Sequence, residues 1–347
     1  MPPAKEKEHH RTRFCSLRVF LTWLFVSIAS CLVYALIAFA ALLNKNILPE
    51  DLGLQSIPYV NVPQHYNIRI QFATEYNKSN KSFEGEVTIV FTTLYESQRI
   101  YVHRGENIQI TDFSSHLNDT SGKLSIKKGA YDDSTEIQTF VLSRNTTVDV
   151  TYSFFMKFKG KFVSGKGPAE FFYPSERGEK RYGLWFATDS ESNRGLRYLF
   201  PCMDSEEFPA DFNVVIVRKT SLRSLSNFVS DKTTEAGSNF MEDHYRSAMK
   251  LLPVQLALVL CDFQYKTENN DGIKISIYSR PEILSEISFR RTAQFMDTTS
   301  HEIGKNDAVL IPDVPTIHRP GISLINEKEA VCESKDFLAT TPLTETE

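Results

Sequence analysis

The sequence has little excess of charge of either sign. Its 347 residues include 39 Lys and Arg against 43 Asp and Glu, which gives a formal net charge of −4. Proteins that bind nucleic acid usually present a basic patch on a basic domain, so this balance predicts no nucleic-acid partner. Hydrophobic residues make up 41% of the chain, a share that is ordinary for a folded globular protein.

Several short catalytic motifs are also absent. The sequence contains no Gly-rich phosphate loop and no Gly-x-Ser-x-Gly element. His-Glu-x-x-His, which supplies two zinc ligands from one helical face, is incomplete, because Lys305 takes the place of the second histidine after His301-Glu302. A lysine ammonium would repel a metal ion, so we interpret this segment as polar residues at the end of a helix. The remaining histidines after residue 60 occur singly: His65, His103, His116, His244 and His318.

Acidic and sulfur-bearing residues offer no better cluster. Asp204, Glu206 and Glu207 lie close together, and we favour a solvated or salt-bridged loop over the alternative of a cation site. Five cysteines are present, and the pairing of the three after residue 200 (Cys202, Cys261 and Cys332) stays open, since an odd number leaves at least one without a partner in the chain. The residues therefore assign no catalytic group, no metal ligand and no cofactor.

One apolar segment is long enough to cross a membrane. Residues 19–43 contain no charged side chain, whereas a signal peptide has an apolar region of only about 7–15 residues. We therefore predict an uncleaved transmembrane anchor. Five Lys and Arg side chains precede it and only Lys45 follows it closely, so the bias predicts that residues 1–18 are a cytosolic tail. The rest of the chain would then be extracellular, at the plasma membrane.

Four Asn-x-Ser/Thr sequences follow this anchor, at Asn77, Asn80, Asn118 and Asn145. Each is a candidate acceptor of an N-linked glycan on an exterior domain. They agree with the predicted orientation of the anchor.

After a stalk at residues 44–60, the hydrophobic pattern has a period of two. The runs include residues 65–72, the alternating apolar positions from Val148 to Phe158, and Ile273 to Ile277. Short strands separated by polar turns predict an antiparallel β domain of saddle or sandwich type at residues 61–270. The fold class is therefore mainly β.

The period changes after Tyr278. Pro281 can occupy the first position of a helix, with Glu282 near the favourable end of the helix dipole. We predict a helix at residues 282–302, as part of a truncated α+β domain at residues 271–334. The polar, threonine-rich residues 335–347 are predicted to be disordered.

A longer stretch resembles a known family. RYLFPCMD at residues 197–204 and FPADF at residues 208–212 are similar to the A-R-x-x-F-P-C-x-D-E-P-x-x-K-A-x-F signature of the aminopeptidase N family, which are zinc aminopeptidases of the gluzincin type. Further matches follow the family's order: Pro63-x-x-Tyr66, Phe83-x-Gly85-x-Val87, Leu225-Ser226-Asn227 and Ile277-Tyr278-Ser279-Arg280-Pro281. The resemblance implies a β-saddle N-terminal domain followed by the beginning of a thermolysin-like domain. It also implies a single membrane anchor.

The functional positions of the family match less well. Pro312-Asp313-Val314 aligns with the turn before the family's exopeptidase motif G-A-M-E-N, which places Ile317-His318-Arg319-Pro320-Gly321 on that motif. Pro320 thus stands where the family has the glutamate that binds a substrate's α-amine. Glu191 aligns with a second amine-binding acidic residue after a shift of one position. The family's zinc ligands would follow residue 347, so the resemblance implies zinc only for a longer chain.

These observations favour a non-catalytic, membrane-anchored ectodomain that binds a peptide or protein partner. The alternative is an incomplete copy of a zinc aminopeptidase that cleaves N-terminal residues from peptides. An adhesion or lectin module has no support beyond the general β character. Oligomeric state and the identity of the partner are not encoded in any motif of the sequence.

Overall fold

A computed structural model describes residues 23, 27–34, 55–72, 81–119, 122–175, 177–188, 195–270, 272–287, 289 and 302–331. The chain divides into two compact units, residues 1–53 and residues 54–347. In the first unit, residues 27–34 are helical. Among the described residues, no helix has both the length and the apolar character needed to cross a membrane. Most of the predicted anchor at residues 19–43 lies outside the described residues.

The described part of residues 54–347 is mainly β, as the sequence predicts. The strands are β1 (Asn61–Phe72), β2 (Ser82–Thr93), β3 (Arg99–His103), β4 (Ile108–Phe113), β5 (His116–Asp119), β6 (Gly122–Asp132), β7 (Ile137–Leu142), β8 (Thr151–Lys161), β9 (Ala169–Pro174), β10 (Lys180–Ala187), β11 (Asp211–Lys219), β12 (Arg223–Ser226), β13 (Ser230–Glu235), β14 (Phe240–Tyr245), β15 (Ala257–Cys261), β16 (Gln264–Asn270), β17 (Ile273–Ser279), β18 (Lys305–Ile311), β19 (Ile317–Arg319) and β20 (Ile322–Asn326). Helix α1 (Pro281–Glu286) follows β17, and short 3-10 turns span Leu196–Tyr198 and Pro253–Gln255.

A seven-stranded sheet with the order β13-β14-β11-β1-β2-β8-β4 carries the largest core. Its long strands alternate between buried and exposed positions; β8, for example, buries every second side chain from Tyr152 to Gly160. This alternation is the pattern that the sequence shows. The prediction of a purely antiparallel sheet is wrong at one place, since β1 and β11 are parallel. Strand β2 follows β1 and pairs with one of its edges. Strand β11 comes much later in the chain and pairs with the other edge of β1, where the two strands run in the same direction.

Two four-stranded sheets, β12-β15-β10-β9 and β3-β7-β6-β5, complete the part of the chain before β16. Strand β15 is buried at every position, which agrees with the continuous apolar run in its sequence. The apolar run that begins at Val148, in contrast, starts later as a strand. Val148 is exposed and Asp149 has a φ of 59°, so the chain turns there and β8 begins at Thr151.

The remaining strands form a five-stranded sheet with the order β16-β17-β18-β20-β19. Strand β18 is buried on both faces: Val309 and Ile311 share a core cluster with Trp185 of β10. Ala308 and Leu310, which alternate with them, pack in a second cluster that includes Leu284 of α1. The start of the second predicted domain therefore covers the sheet β12-β15-β10-β9. The predicted boundary between residues 270 and 271 falls in the β16–β17 hairpin and stays a prediction.

The helix predicted at residues 282–302 is interrupted at Ile287, and Phe289 is helical again. Helix α1 ends at Glu286, and Ile287 has extended backbone with φ −84° and ψ 143°. The buried side chain of Ile287 belongs to the same cluster as Leu284, so core packing diverts the chain out of the helix. Residues 288 and 290–301 lie outside the described residues, as do residues 332–347.

Candidate functional site

The segment aligned with the exopeptidase motif forms a β-hairpin at one border of the five-stranded sheet. Strands β19 and β20 are antiparallel, with Arg319 opposite Ile322, and Pro320-Gly321 is the two-residue turn between them. Gly321 has a φ of 76°. Pro at the second position and Gly with positive φ at the third are typical of a type II turn. Among the described strands β19 pairs only with β20, so its outer side is a sheet edge that can accept another strand.

The charge at this turn is opposite to the charge that the aligned motif carries. Pro320 is buried and has neither a side-chain charge nor an N–H. Its neighbour Arg319 is half-buried, and the guanidinium donates hydrogen bonds to the carbonyl oxygens of Thr188 and, at 2.7 Å, of His318. His318 is exposed, with its Nδ1 3.0 Å from the hydroxyl oxygen of Ser323. The turn itself therefore supplies a cation and no carboxylate.

Asn227 connects this turn to the sheet β12-β15-β10-β9. Its side-chain amide donates hydrogen bonds of 2.9 Å to the carbonyl oxygens of Pro320 and Gln255. Its Oδ1 accepts a hydrogen bond of 2.8 Å from the N–H of Ala257. Asn227 is completely buried, so these three bonds satisfy most of the polar capacity of its side chain.

A buried ion pair lies beside this contact. Lys305 and Asp307, both in β18, form a salt bridge in which the two side chains are only 7% and 6% exposed. The Lys305 ammonium also donates a hydrogen bond of 2.7 Å to the carbonyl oxygen of Ser226. The interpretation of the His301–Lys305 segment as the end of a helix is wrong for Lys305, which begins a strand. Lys305 and Asp307 lie on the same face of β18, because alternate residues of a strand point to the same side. The Asp307 carboxylate is therefore beside the Lys305 ammonium and compensates its buried charge.

The FPC signature segment is held by a polar network. Arg197 Nε donates to Asp204 Oδ2 at 2.8 Å, and Tyr198 donates its hydroxyl hydrogen to Glu136 Oε1 at 2.7 Å. Burial acts to lower the pKa of Arg197, but Asp204 and Glu136 outweigh it, so the pKa is raised. Asp204 is thus salt-bridged, as predicted for the acidic loop, and Glu206 and Glu207 are exposed.

Two buried titratable groups at the signature segment, His103 of β3 and Cys202, are neutral at physiological pH. Burial, with a smaller effect of the Arg197 charge, lowers the pKa of His103 to about 3. Its Nδ1 accepts a hydrogen bond of 3.1 Å from the N–H of Asp204. Burial also raises the pKa of Cys202, and a protonated, inaccessible thiol is a poor nucleophile. These contacts stabilise the loop and provide no reactive group.

The structure describes only some of the other candidate residues. Glu191, Asn77 and Asn80 lie outside the described residues, as does the side chain of Asn118 in β5. Asn145 is exposed and donates a hydrogen bond of 3.1 Å to Glu96. Sequence reasoning named Asn227 only within the Leu-Ser-Asn match, because its contact with Pro320 joins residues 93 positions apart. It did not identify the Lys305–Asp307 pair, because the burial of Lys305 beside Ser226, 79 positions away, depends on the fold.

The described residues do not fit a zinc site. Among them, no group of three or more His, Cys, Asp or Glu side chains is arranged to hold a metal ion. A catalytic zinc ion needs three protein ligands and an open position. The residues near the hairpin offer a lysine, an arginine and one exposed histidine instead.

Comparison with known proteins agrees with this architecture. Residues 62–251 match the Peptidase M1 N-terminal domain. The match covers more than half of the chain, from β1 to the residues just before β15. The chain therefore contains an N-terminal domain of the M1 peptidase class. The chain belongs to the aminopeptidase N-like M1 family.

Individual relatives are distant in sequence. The chain is 26% identical over 271 residues to endoplasmic reticulum aminopeptidase 2 of Homo sapiens, covering 74% of the chain and 27% of that protein. It is 23% identical over 278 residues to aminopeptidase N of Canis lupus familiaris, covering 74% of the chain and 28% of the relative. Aminopeptidase Q of Homo sapiens is 22% identical over 303 residues, with 80% and 30% covered. The chain thus spans less than a third of the length of these relatives.

Proposed function

We propose that this chain is the N-terminal, peptide-positioning part of an aminopeptidase of the M1 family. The observation that carries the proposal is the position of β19 at the border of its sheet, where β20 is its one pairing partner among the described strands, in the segment aligned with the exopeptidase motif. An extended peptide can add to such an edge as a further strand, with main-chain hydrogen bonds giving affinity. The relatives support a peptide as the ligand, since their names describe them as aminopeptidases.

Positioning, and not bond cleavage, is the role assigned to these residues. Hydrolysis by this class would use a zinc ion to activate water, and the described residues do not supply its ligands. Peptide cleavage therefore belongs to a longer protein in which other residues bind zinc. The hairpin would align the N-terminal segment of the peptide beside that centre.

A non-catalytic binding protein is the second candidate function, and Pro320 favours it. A carboxylate forms a charge-assisted hydrogen bond to an ammonium group, and Pro320 cannot form one. The sequence of the full reading frame distinguishes the two candidate functions. A longer product that contains His-Glu-x-x-His supports the aminopeptidase. A frame without this motif supports the binding protein.

The membrane setting is part of the same proposal. Residues 19–43 would anchor the protein with residues 1–18 in the cytosol, and the β domain would lie on the luminal or extracellular side. The uncharged run and the Lys/Arg bias before it support this orientation. Exposure of Asn145 makes it the sequon with the best structural support for a glycan.

The outward backbone groups of β19 provide the test. Residues that flank a two-residue hairpin turn exchange hydrogen bonds, so Arg319 bonds to Ile322, and the N–H of His318, one position further, points away from β20. The His318 carbonyl oxygen accepts a hydrogen bond from the Arg319 guanidinium, so the N–H is the group that the test addresses. His318→Pro removes that N–H, whereas the control His318→Ala keeps it. Binding of fluorescent nine-residue peptides to the detergent-solubilised chain is measured by anisotropy.

We expect about a tenfold loss of affinity in His318→Pro and less than about a threefold loss in His318→Ala, the difference being one lost hydrogen bond. Equal affinities in the two variants would exclude peptide addition at β19. Failure of the unmodified chain to bind any of the peptides would refute the proposal as a whole.

A further inference from the structure

We infer that Asn227 is a positioning residue that fixes the β19–β20 hairpin, and with it the edge of β19, against the sheet β12-β15-β10-β9. The role of the edge in peptide binding rests on the function proposed above. The fixing of the hairpin by Asn227 does not, because it depends only on contacts within the chain.

The argument begins with the number of segments that one side chain joins. Asn227 follows β12 directly and hydrogen-bonds to the 3-10 turn at Gln255, to β15 at Ala257 and to the hairpin turn at Pro320. One of these partners lies in β15, one lies in the 3-10 turn that precedes β15, and the third is the hairpin turn. A single buried amide therefore holds the turn at the end of β19 in a fixed position relative to β15.

Gly321 allows this contact to form. A side chain at residue 321 would overlap with the carbonyl oxygen of Asn227 and crowd Ile303. The positive φ of 76° at this position also strains any residue with a Cβ. The turn can therefore approach Asn227 only with glycine at residue 321.

Two further contacts connect β18 to the place where Asn227 meets the hairpin turn. Lys305 donates to the carbonyl oxygen of Ser226, the residue before Asn227. The N–H of Asp307 donates a hydrogen bond of 3.1 Å to the carbonyl oxygen of Gly321. These contacts fix β12 and the turn relative to β18, but neither reaches the Pro320 carbonyl, which is the contact that Asn227 makes.

Loss of the amide would leave the Pro320 carbonyl without this donor in a buried site. The hairpin would then open more often at its turn, because its short strand β19 has only three residues paired with β20. The core cluster of β1 and β2 reaches this region through Phe228 and Ile303, but no residue of β1 or β2 is a hydrogen-bond partner of the Asn227 side chain. A local effect is therefore expected, and a general loss of packing is not.

Ser226 offers a matched control. It is the adjacent residue, it is equally buried, and its hydroxyl donates to the Ala257 carbonyl oxygen at 3.0 Å without contacting the hairpin. Asn227→Ala and Ser226→Ala both remove a bond to β15, and only the first removes the bond to the turn. A second variant, Asn227→Asp, keeps the acceptor for the Ala257 N–H and removes both amide donors.

Hydrogen exchange followed by mass spectrometry on the full chain measures the effect. In Asn227→Ala and Asn227→Asp we expect exchange of residues 315–326 to accelerate about tenfold, while residues 61–72 keep their rate. In Ser226→Ala the hairpin should accelerate by less than about threefold. Equal acceleration of the hairpin in Asn227→Ala and Ser226→Ala would overturn the inference, as would unchanged exchange in both Asn227 variants.

Peptide binding by the same variants separates the two proposals. Faster hairpin exchange together with about a tenfold weaker affinity for the fluorescent nine-residue peptides supports both. Faster exchange with unchanged affinity supports the positioning role of Asn227 and contradicts peptide binding at β19. A variant that does not fold is replaced by the other Asn227 variant, for which the same exchange criterion holds.

Discussion

The buried Lys305–Asp307 pair gives the sharpest stability prediction. Lys305→Met replaces the ammonium by an apolar group of similar length and leaves the Asp307 carboxylate without its partner. Asp307→Leu does the reverse. The double variant replaces the ion pair by an apolar pair in a strand that is buried at every position.

The expected magnitudes follow from the burial of both side chains. Breaking a buried pair by removing one partner typically costs about 3–5 kcal/mol, because an uncompensated charge remains in the interior. Lys305→Met also removes the hydrogen bond to the Ser226 carbonyl, so it should lie at the upper end of that range. Replacing both partners is often neutral or stabilising. The coupling energy between the two sites should therefore be at least about 3 kcal/mol.

Equilibrium unfolding in urea measures these differences. Trp185 is buried in the cluster that contains Val309 and Ile311, so its fluorescence reports on the region around β18. The four proteins of the double-variant cycle are compared at one pH and ionic strength. Single variants that each cost less than about 1 kcal/mol, or effects that add without coupling, would refute the reasoning from burial.

Three further predictions address the signature, the zinc site and the domain boundary. The pKa of His103 is about 3 in the folded protein and near its ordinary value of about 6.5 when unfolded; the unfolded state thus binds more protons between these values. Stability should fall as the pH drops from about 6.5 towards 3, and His103→Gln should flatten that slope in acid titrations of unfolding. Elemental analysis of the purified chain should find less than about 0.1 zinc per chain, and Pro320→Glu should not produce cleavage of aminoacyl amides, because one amine anchor supplies no nucleophile. A fragment of residues 61–270 should fold with a lower thermal midpoint than the whole chain, since it lacks the residues of β18 and β20 that cover Trp185; an unchanged midpoint would show that the shared cluster contributes no stability.

Much of the fold could be predicted from local patterns. Period-two alternation at residues 65–72, from Val148 to Phe158 and from Ile273 to Ile277 identified β1, β8 and β17. These predictions hold because burial of one strand face depends on residues that are neighbours in sequence. The parallel pairing of β1 with β11 could not be predicted in this way, since it depends on where the chain returns after more than 130 residues. The early end of α1 depends likewise on the packing of Ile287.

The candidate site also has one part that local sequence indicates and another part that depends on contacts between distant residues. Pro320-Gly321 between short apolar runs is a local turn signal, and the structure has the β19–β20 hairpin there, although the hairpin is not among the elements predicted from the sequence. The contacts that hold it could not be found from the sequence. Asn227 and Pro320 are 93 residues apart, and a buried lysine in β18 becomes intelligible only when Asp307 and Ser226 are seen beside it.

At both the signature loop and the hairpin turn, the described contacts stabilise the fold and involve no reactive group. The Arg197–Asp204 ion pair holds the signature loop, and the neighbouring His103 and Cys202 are buried, neutral groups. At the hairpin, Pro320-Gly321 satisfies the geometry of a tight turn without any carboxylate, because a turn depends on φ and ψ and not on side-chain charge. The turn and the edge strand at this position therefore form without a glutamate at residue 320. Fold alone therefore does not establish activity here, and the peptide-binding experiment at His318 is the measurement that bears on function.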